Sequence, residues 1–296
     1  MLDAYAPLYG GEANFVREFT GEARRCFRVN TLRAQVGEVH DRLRAQGYPV
    51  EEVPWCPGAF FTEGKPGTTP EAQLGLLYGQ DAASLLPALA LAPEPGESIL
   101  DMCAAPGSKS THMAALMRNE GRIVANDKSR GRAFTLIAAL QRCGVANAVV
   151  TVHDATRPTF TTKQFDRVLV DAPCSTLGRM GETDGPIRAW NPERVARLVQ
   201  IQGSLLDAAW RLTRKGGTLV YATCTIDPSE NEGVVTSFLR AHSDVALEPL
   251  PVAIRGAPAV QAWRGKRYDP AVKDTLRLNP TTYGTEGFYV ARFRKG

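Results

Sequence analysis

The chain has 296 residues, 44% of them apolar, and a net charge of +4. Such a chain can bury a sizeable core, and the length suggests about two domains of roughly 100–200 residues each. No apolar run approaches the roughly 18 residues of a membrane span, and MLDAYAPLYGGEANF has neither the charged start nor the apolar block of a leader, so a cytoplasmic protein with no membrane partner is expected.

The first elements are short and mixed. A helical lead-in precedes CFRVNTL, a strand candidate; VGEVHDRLRAQG follows, with Val36, Val39 and Leu43 at helical spacing and Gly47 as the stop. YPVEEV and AFFTE read as further strands. Residues 1–92 thus read as a small α+β domain, and the proline-rich PALALAPEPGE separates it from a second domain, residues 93–296. There the pattern changes. Short apolar strands (SILDM, RIVAND, NAVVTVHD, FDRVLVDAP, GGTLVYAT, GFYVARF) alternate with helices (KSTHMAALM, RGRAFTLIAALQRCG, PERVARLVQIQGSLLDAAWRLT, SENEGVVTSFLRAH). This alternation predicts an α/β fold: a mostly parallel sheet covered by helices, with ligands at the carboxyl ends of its strands.

Six cysteines, Cys26, Cys56, Cys103, Cys143, Cys174 and Cys224, lie thirty or more residues apart, with no C-x-x-C pair and only four histidines. That spacing fits neither a zinc site nor a disulfide scaffold. Two of them stand out by position. Cys174 follows FDRVLVDAP and Cys224 follows GGTLVYAT, each at the tip of a predicted strand. Basic residues gather as RRCFRVNTLR (Arg24, Arg25, Arg28, Arg33), RGKR (Arg264, Lys266, Arg267) and RFRK (Arg292, Arg294, Lys295). Each cluster alone reads as solvated charge, and the mild basic excess permits a polyanionic partner.

DMCAAPGSK, residues 101–109, runs from a strand end through a tight turn at Pro106-Gly107 into a helix whose first N–H groups face the crevice. The G-x-G-x-x-G fingerprint of dinucleotide sites is absent. Asp127 ends RIVAND, where a carboxylate can accept from both hydroxyls of a ribose; Asp154 ends VVTVHD, within reach of an adenine edge; Asp171 ends FDRVLVD. With Asp101, four aspartates at four successive strand tips converge on one crevice. S-adenosylmethionine is the ligand that matches an adenosyl site without a pyrophosphate.

DMCAAPGSK, NDKSRGR, DAPCS and YATCTIDPSENE, in this order and spacing, resemble the Nop/Sun family of RNA cytosine-5 methyltransferases. RCFRVNTLRA and YGQDAAS look like that family's N-terminal region, and TEGFYVARFRK like its last strand. The chain is most similar to short archaeal tRNA members. The resemblance implies a Rossmann-like class I methyltransferase sheet of seven mostly parallel strands, preceded by a small RNA-recognition-like α+β domain. It implies S-adenosylmethionine as cofactor, held by Cys103, Ala104, Ala105, Pro106, Gly107, Ser108, Lys109, Asp127, Arg132, Asp154 and Asp171. It also implies an RNA partner, tRNA or rRNA, a monomer, and no metal; the N-terminal arginines would then contact phosphates.

Cytosine carbon 5 is a poor nucleophile, so a thiolate must first add to carbon 6. In this family the Thr-Cys cysteine attacks and the Pro-Cys cysteine is implicated in release, so the resemblance makes Cys224 the nucleophile and Cys174 the release residue. Asp171 would touch the cytosine amino edge and the cofactor's methionine end. Lys109 would supply the electropositive setting that a thiol with an ordinary pKa of about 8.5 requires. After Cys224, Asp227 is the predicted helix N-cap, with Pro228 at the first helical position and Glu230 three residues after the cap. One departure is visible: the family carries glycine after the serine of Pro-Cys-Ser, whereas this chain reads S-T-L-G-R-M-G-E-T-D-G-P. Thr176 and Leu177 should stiffen that stretch and Gly178, Gly181 and Gly185 loosen it. Two rivals remain. An amino-group methyltransferase would carry Asn/Asp-Pro-Pro-aromatic where this chain has Asp171-Ala172-Pro173-Cys174. A non-catalytic RNA-binding assembly factor with a retained cofactor pocket would not need both cysteines.

Overall fold

A computed structural model describes residues 2–19, 23–157, 164–180 and 185–296. Two short helices, α1 (Leu2–Tyr5) and α2 (Glu12–Phe19), lead into a small antiparallel sheet. Strands β1 (Arg25–Val29), β2 (Glu51–Glu52), β3 (Ala59–Thr62) and β4 (Leu77–Gly79) stand in the order β2-β3-β1-β4. Helix α3 (Val36–Ala45) lays Val39 and Leu43 against Phe27, Val29, Phe60 and Leu77 on one face, as its spacing predicts. Cys26 and Phe61, on the alternate positions, join a core that also holds Leu85, Leu86, Ile99 and Val290. Both faces of the small sheet are therefore covered, and the fully buried Phe27 is a core residue with no free face for stacking a base.

After α4 (Pro70–Gln73) and α5 (Leu86–Leu91) comes the large sheet. Its first five strands are β5 (Ser98–Asp101), β6 (Arg122–Asn126), β7 (Ala148–Thr151), β8 (Phe165–Asp171) and β9 (Thr213–Thr223). Between them run α6 (Ser108–Leu116), α7 (Arg130–Cys143), α8 (Gly185–Ala189) and α9 (Pro192–Leu212). Then follow α10 (Glu232–Ala241), β10 (Val245–Glu248), a minimal hairpin of β11 (Ala262–Trp263) and β12 (Lys266–Arg267), β13 (Leu276–Leu278), α11 (Pro280–Tyr283) and β14 (Phe288–Lys295). The strand order is β7-β6-β5-β8-β9-β14-β10, with β13 paired to β14 as an eighth strand beyond the seven predicted. From β7 to β9 all neighbours are parallel; β14 runs antiparallel to β9, β10 and β13. The winding reverses between β5 and β8, and a crevice opens there at the carboxyl ends.

The proline-rich stretch PALALAPEPGE begins inside a helix. Its first half is the buried helix α5, which packs on β8, β9 and β14 ahead of residue 93. Pro87 occupies the first turn, where a missing N–H breaks no helical bond, so proline here marks a helix start.

Candidate active site

A cavity of about 900 Å³ lies over the crevice, walled by the tips of β5, β6, β8 and β9, by the segment after β7, and by residues 78–81 of the N-terminal sheet. Met102, Cys103, Ala105, Pro106, Ser108, Lys109, Asp127, Arg132, Asp154, Asp171, Cys174 and Cys224 all line it. Ala104 and Gly107 do not form its wall. Ala104 donates its N–H to the Asn126 carbonyl (2.7 Å), and Gly107, at φ +113°, packs under α7, where an added Cβ would sit 3.1 Å from both Ala139 and Leu136. Asp101 is also behind the wall. It accepts from the Ser110 hydroxyl (2.7 Å), and burial pushes its carboxyl up to about 7, so three strand-tip aspartates face the cavity and not four.

The cofactor side is held by backbone. Gly107 at the N-cap of α6 brings no side chain to close the first turn, which leaves its N–H groups to a ligand. Asp127 is fixed by the N–H groups of Ser129 (2.9 Å) and Ala105 (3.3 Å), and Arg132 lies 3.3 Å from its carboxylate while also donating to the Ala105 carbonyl. Asn126, buried beside it, ties three tips together: its amide donates to the Met102 and His153 carbonyls (3.1 Å each) and accepts from the Thr151 hydroxyl (3.0 Å). Asp154 lies three residues beyond β7 and is exposed, its acidity increased by hydrogen bonds from Thr156. These groups, drawn from three neighbouring strand tips, fit an adenosyl ligand.

The thiol side is denser. Cys174 and Cys224 follow adjacent parallel strands, and their Sγ atoms are 3.4 Å apart. A hydrogen bond from Cys174 lowers the Cys224 pKa, and the cations of Lys109 and Arg179 add to this against burial and Asp171. The same bond, with burial, drives Cys174 well above the ordinary thiol value. Burial opposes the charge on Lys109, but Asp171 at 2.8 Å outweighs it and keeps the ammonium. Cys224 is thus the more acidic thiol of the pair and Cys174 the less acidic.

The predicted capping box after Cys224 does not form. Helix α10 begins at Glu232, with Asn231 in the N-cap position; Asp227 instead caps a turn through the Ser229 N–H (2.7 Å) and accepts from the Tyr5 hydroxyl (2.6 Å). Glu230 is drawn inward to the Ser175 N–H (3.0 Å) and the Gln202 amide (2.8 Å), with the Thr225 hydroxyl at 3.4 Å. It therefore binds the residue after each cysteine, and Ser175 and Thr225 themselves share a 2.7 Å hydroxyl contact. Asn231 donates to the Thr225 carbonyl (2.9 Å), while Glu232 pairs bidentately with Arg277, which donates to the Ile226 carbonyl (2.8 Å). All three residues of Glu-Asn-Glu brace the Cys224 loop.

The S-T-L-G departure is also explained. Thr176 adopts φ +59°, a left-handed conformation that glycine takes without strain, which accounts for the family preference there. Gly178 does not loosen the chain: it donates to the Cys224 carbonyl (3.0 Å) and accepts from the Gly287 N–H (2.9 Å), and an added Cβ would lie 1.9 Å from the Gly287 oxygen. Gly185 opens α8, and Gly181 lies outside the described residues.

The basic clusters divide. Arg28 is buried, donating to the Thr111 hydroxyl (3.2 Å) on α6, and so cannot contact phosphate; Arg24 and Arg25 are exposed. In RFRK, Arg292 and Arg294 share Glu248, and Lys295 donates to the Trp210 and Thr213 carbonyls. The polar cavity residues Gln80, Asp81, Arg179 and Glu286 are among those that carried no prediction. Glu286 pairs with Arg179 (3.3 Å) and donates its N–H to Asp81 (3.1 Å), and burial followed by Asp81 raises its carboxyl well above the usual range. YGQDAAS and TEGFYVARF hold these acids, each beside a strand, which was the available signal.

A switch-point cavity in this sheet, with strand-tip acids on one side and a thiol pair on the other, defines a Rossmann-like S-adenosylmethionine-dependent methyltransferase. Residues 88–294 match the family described as 16S rRNA methyltransferase RsmB/F, and residues 2–82 match the N-terminal domain of 16S rRNA methyltransferase RsmF. The chain belongs to this RsmB/F family, the Nop/Sun group of the sequence resemblance. It is 42% identical over 272 residues to the tRNA (cytosine(49)-C(5))-methyltransferase of Pyrococcus abyssi, covering 90% of this chain and 87% of that one. It is 36% identical over 295 residues to ribosomal RNA small subunit methyltransferase F of Serratia proteamaculans, covering 95% of this chain but only 59% of the bacterial protein's length. The crystal structure of a methyltransferase homolog from Pyrococcus horikoshii superposes with a TM-score of 0.83 at 33% identity, over 100% of this chain and 98% of that one.

Proposed function

We propose that this chain methylates carbon 5 of a cytosine in RNA, through a covalent bond from Cys224 to carbon 6 and with Cys174 assisting release. The observation that carries this is the 3.4 Å separation of the two sulfurs beside the 2.8 Å Lys109–Asp171 pair. The Cys224 thiolate adds to carbon 6 and makes carbon 5 an enamine nucleophile. S-adenosylmethionine, when bound, supplies the methyl group. Loss of the carbon-5 proton to a base then returns electrons to the sulfur as the carbon–sulfur bond breaks. Cys174, whose thiol keeps its proton, donates to that departing sulfur.

Lys109 and the 103–109 turn hold the cofactor in this assignment, Asp127 its ribose and Asp154 its adenine edge. Arg132 steadies Asp127, and Asp171 meets the cytosine amino edge and the methionine end. Residues 1–92 contribute RNA binding. A groove lined by Arg24, Arg25, Lys65 and Arg179 shares Gly79, Gln80 and Asp81 with the cavity and supports this role. A tRNA substrate is favoured over rRNA by the greater identity to, and coverage of, the archaeal tRNA-named relative. The enzyme would act as a cytoplasmic monomer without a metal; no helix among the described residues is long and apolar enough to cross a membrane. Tritiated S-adenosylmethionine incubated with total RNA tests the activity, and bisulfite sequencing locates the base. Label at carbon 5 of cytosine is expected, whereas an RNA-binding assembly factor would label nothing.

A further inference from the structure

The charged groups on the thiol side of the cavity are matched to one another. Asp171 is paired with Lys109, and Glu286 with Arg179. Gln80 is different: both heteroatoms of its side-chain amide are shielded from solvent and make no hydrogen bond within the protein. Its backbone N–H already serves the small sheet, donating to the Cys26 carbonyl (3.1 Å), so strand pairing does not need the side chain. An amide buried without partners destabilises a fold. Such a group beside a cavity implies a partner that arrives with the ligand.

Place and chemistry narrow that partner. Gln80 lines the cavity that holds both thiols and also the basic groove of the N-terminal domain, so it stands where an RNA strand entering from the groove would present its base. Next to it, the Asp81 carboxylate accepts from the Ala83 N–H (2.7 Å) and from the Glu286 N–H (3.1 Å), which fixes the segment against the loop before β14. The amide offers a donor and an acceptor side by side. The ring edge of cytosine offers the 4-amino donor beside the N3 and O2 acceptors. Addition of a thiolate to carbon 6 pushes negative charge onto N3 and O2, and an N–H fixed there stabilises that charge.

We propose that, as the target base enters the cavity, the Gln80 side chain turns its shielded amide to the N3/O2 edge of the cytosine and donates to it as the Cys224 adduct forms. This rests on the covalent reading above. Gln80→Met keeps the length of the side chain and removes the amide; Gln80→Glu keeps its shape and removes the donor.

With total RNA and tritiated S-adenosylmethionine, both variants should methylate about 10²-fold more slowly, the usual effect of losing one such donor. Cofactor affinity by calorimetry should stay within about twofold, and the melting midpoint of Gln80→Met should hold or rise because an unpaired buried amide has gone. Combined with Cys174→Ala, either variant should slow formation of the denaturation-resistant RNA adduct by the same factor. Unchanged methylation in either variant would overturn the proposal, as would a rate loss that tracks a lowered melting midpoint or weakened cofactor binding. If wild-type protein labels no cytosine, the covalent reading fails first, and the two failures are told apart.

Discussion

The two sides of the cavity are built on different principles. On the adenosyl side, Cys103 to Ser108, Asp127, Arg132 and Asp154 follow three neighbouring parallel strands and are tied to one another across adjacent strand tips, largely through backbone groups such as the Ala105 and Ser129 N–H groups on Asp127 and the Ala105 carbonyl that accepts from Arg132. On the thiol side, residues 80, 109, 171–179, 224–232 and 286 are brought together from across the chain and braced by side chains. Recognition of a constant ligand needs only the strand ends. The proposed covalent chemistry uses two sulfurs held at one separation, and side chains from distant parts of the chain brace the loops that carry them.

The largest effect should come from Cys224→Ala, which removes the sulfur proposed to attack. Methyl transfer to RNA should fall to background while cofactor affinity remains within about twofold, because the adenosyl side is untouched; residual turnover would break the division of labour. Cys174→Ala should lower turnover by about 10²-fold or more, the usual scale for lost proton donation. It should accumulate an enzyme–RNA adduct on denaturing gels, and an adduct seen with Cys224→Ala instead would reverse the two roles. Asp127→Ala should act only on the other side, weakening S-adenosylmethionine about tenfold by calorimetry, the scale of one or two lost charge-assisted bonds.

The smallest effect concerns pH. The Asp101 carboxyl is raised from 3.8 to about 7 by burial, so the folded state favours its protonated form. The stability it contributes is fully present below about pH 4 and is lost as pH rises through about 7. Glu230, raised to about 7 by burial, acts in the same direction on the thiol side. Asp101→Asn should therefore show a shallower fall in unfolding free energy between pH 4.5 and 7.5 than wild type, with the remaining slope due in part to Glu230. An equal slope in the two proteins would remove Asp101 from this account.

The adenosyl side was legible in the sequence because its signals are local: a strand tip, a turn, an uncapped helix start. The thiol pair was legible by motif. What escaped was tertiary. Glu230 stands at capping-box spacing from Asp227, yet its carboxylate goes to Ser175, fifty-five residues away in sequence, since burial leaves it no solvent and Ser175 offers a free N–H. Arg28 sits in a basic run but points into the contact with α6. Gly178 looks like a hinge and is instead a close approach between two backbones. Gln80 and Glu286 have no periodicity to announce them, and only the folded cavity shows what they face.

The N-terminal sheet, covered on one face by α3, shares its other face with the core of the catalytic sheet through Cys26, Phe61, Leu85 and Val290. Composition counts two domains, but there is one continuous interior between them. Such a molecule should melt in a single cooperative transition, so that loosening the N-terminal sheet would loosen the thiol pair in the same step. If the two sheets melt as one, any ligand held by the small sheet would stabilise the large one as well.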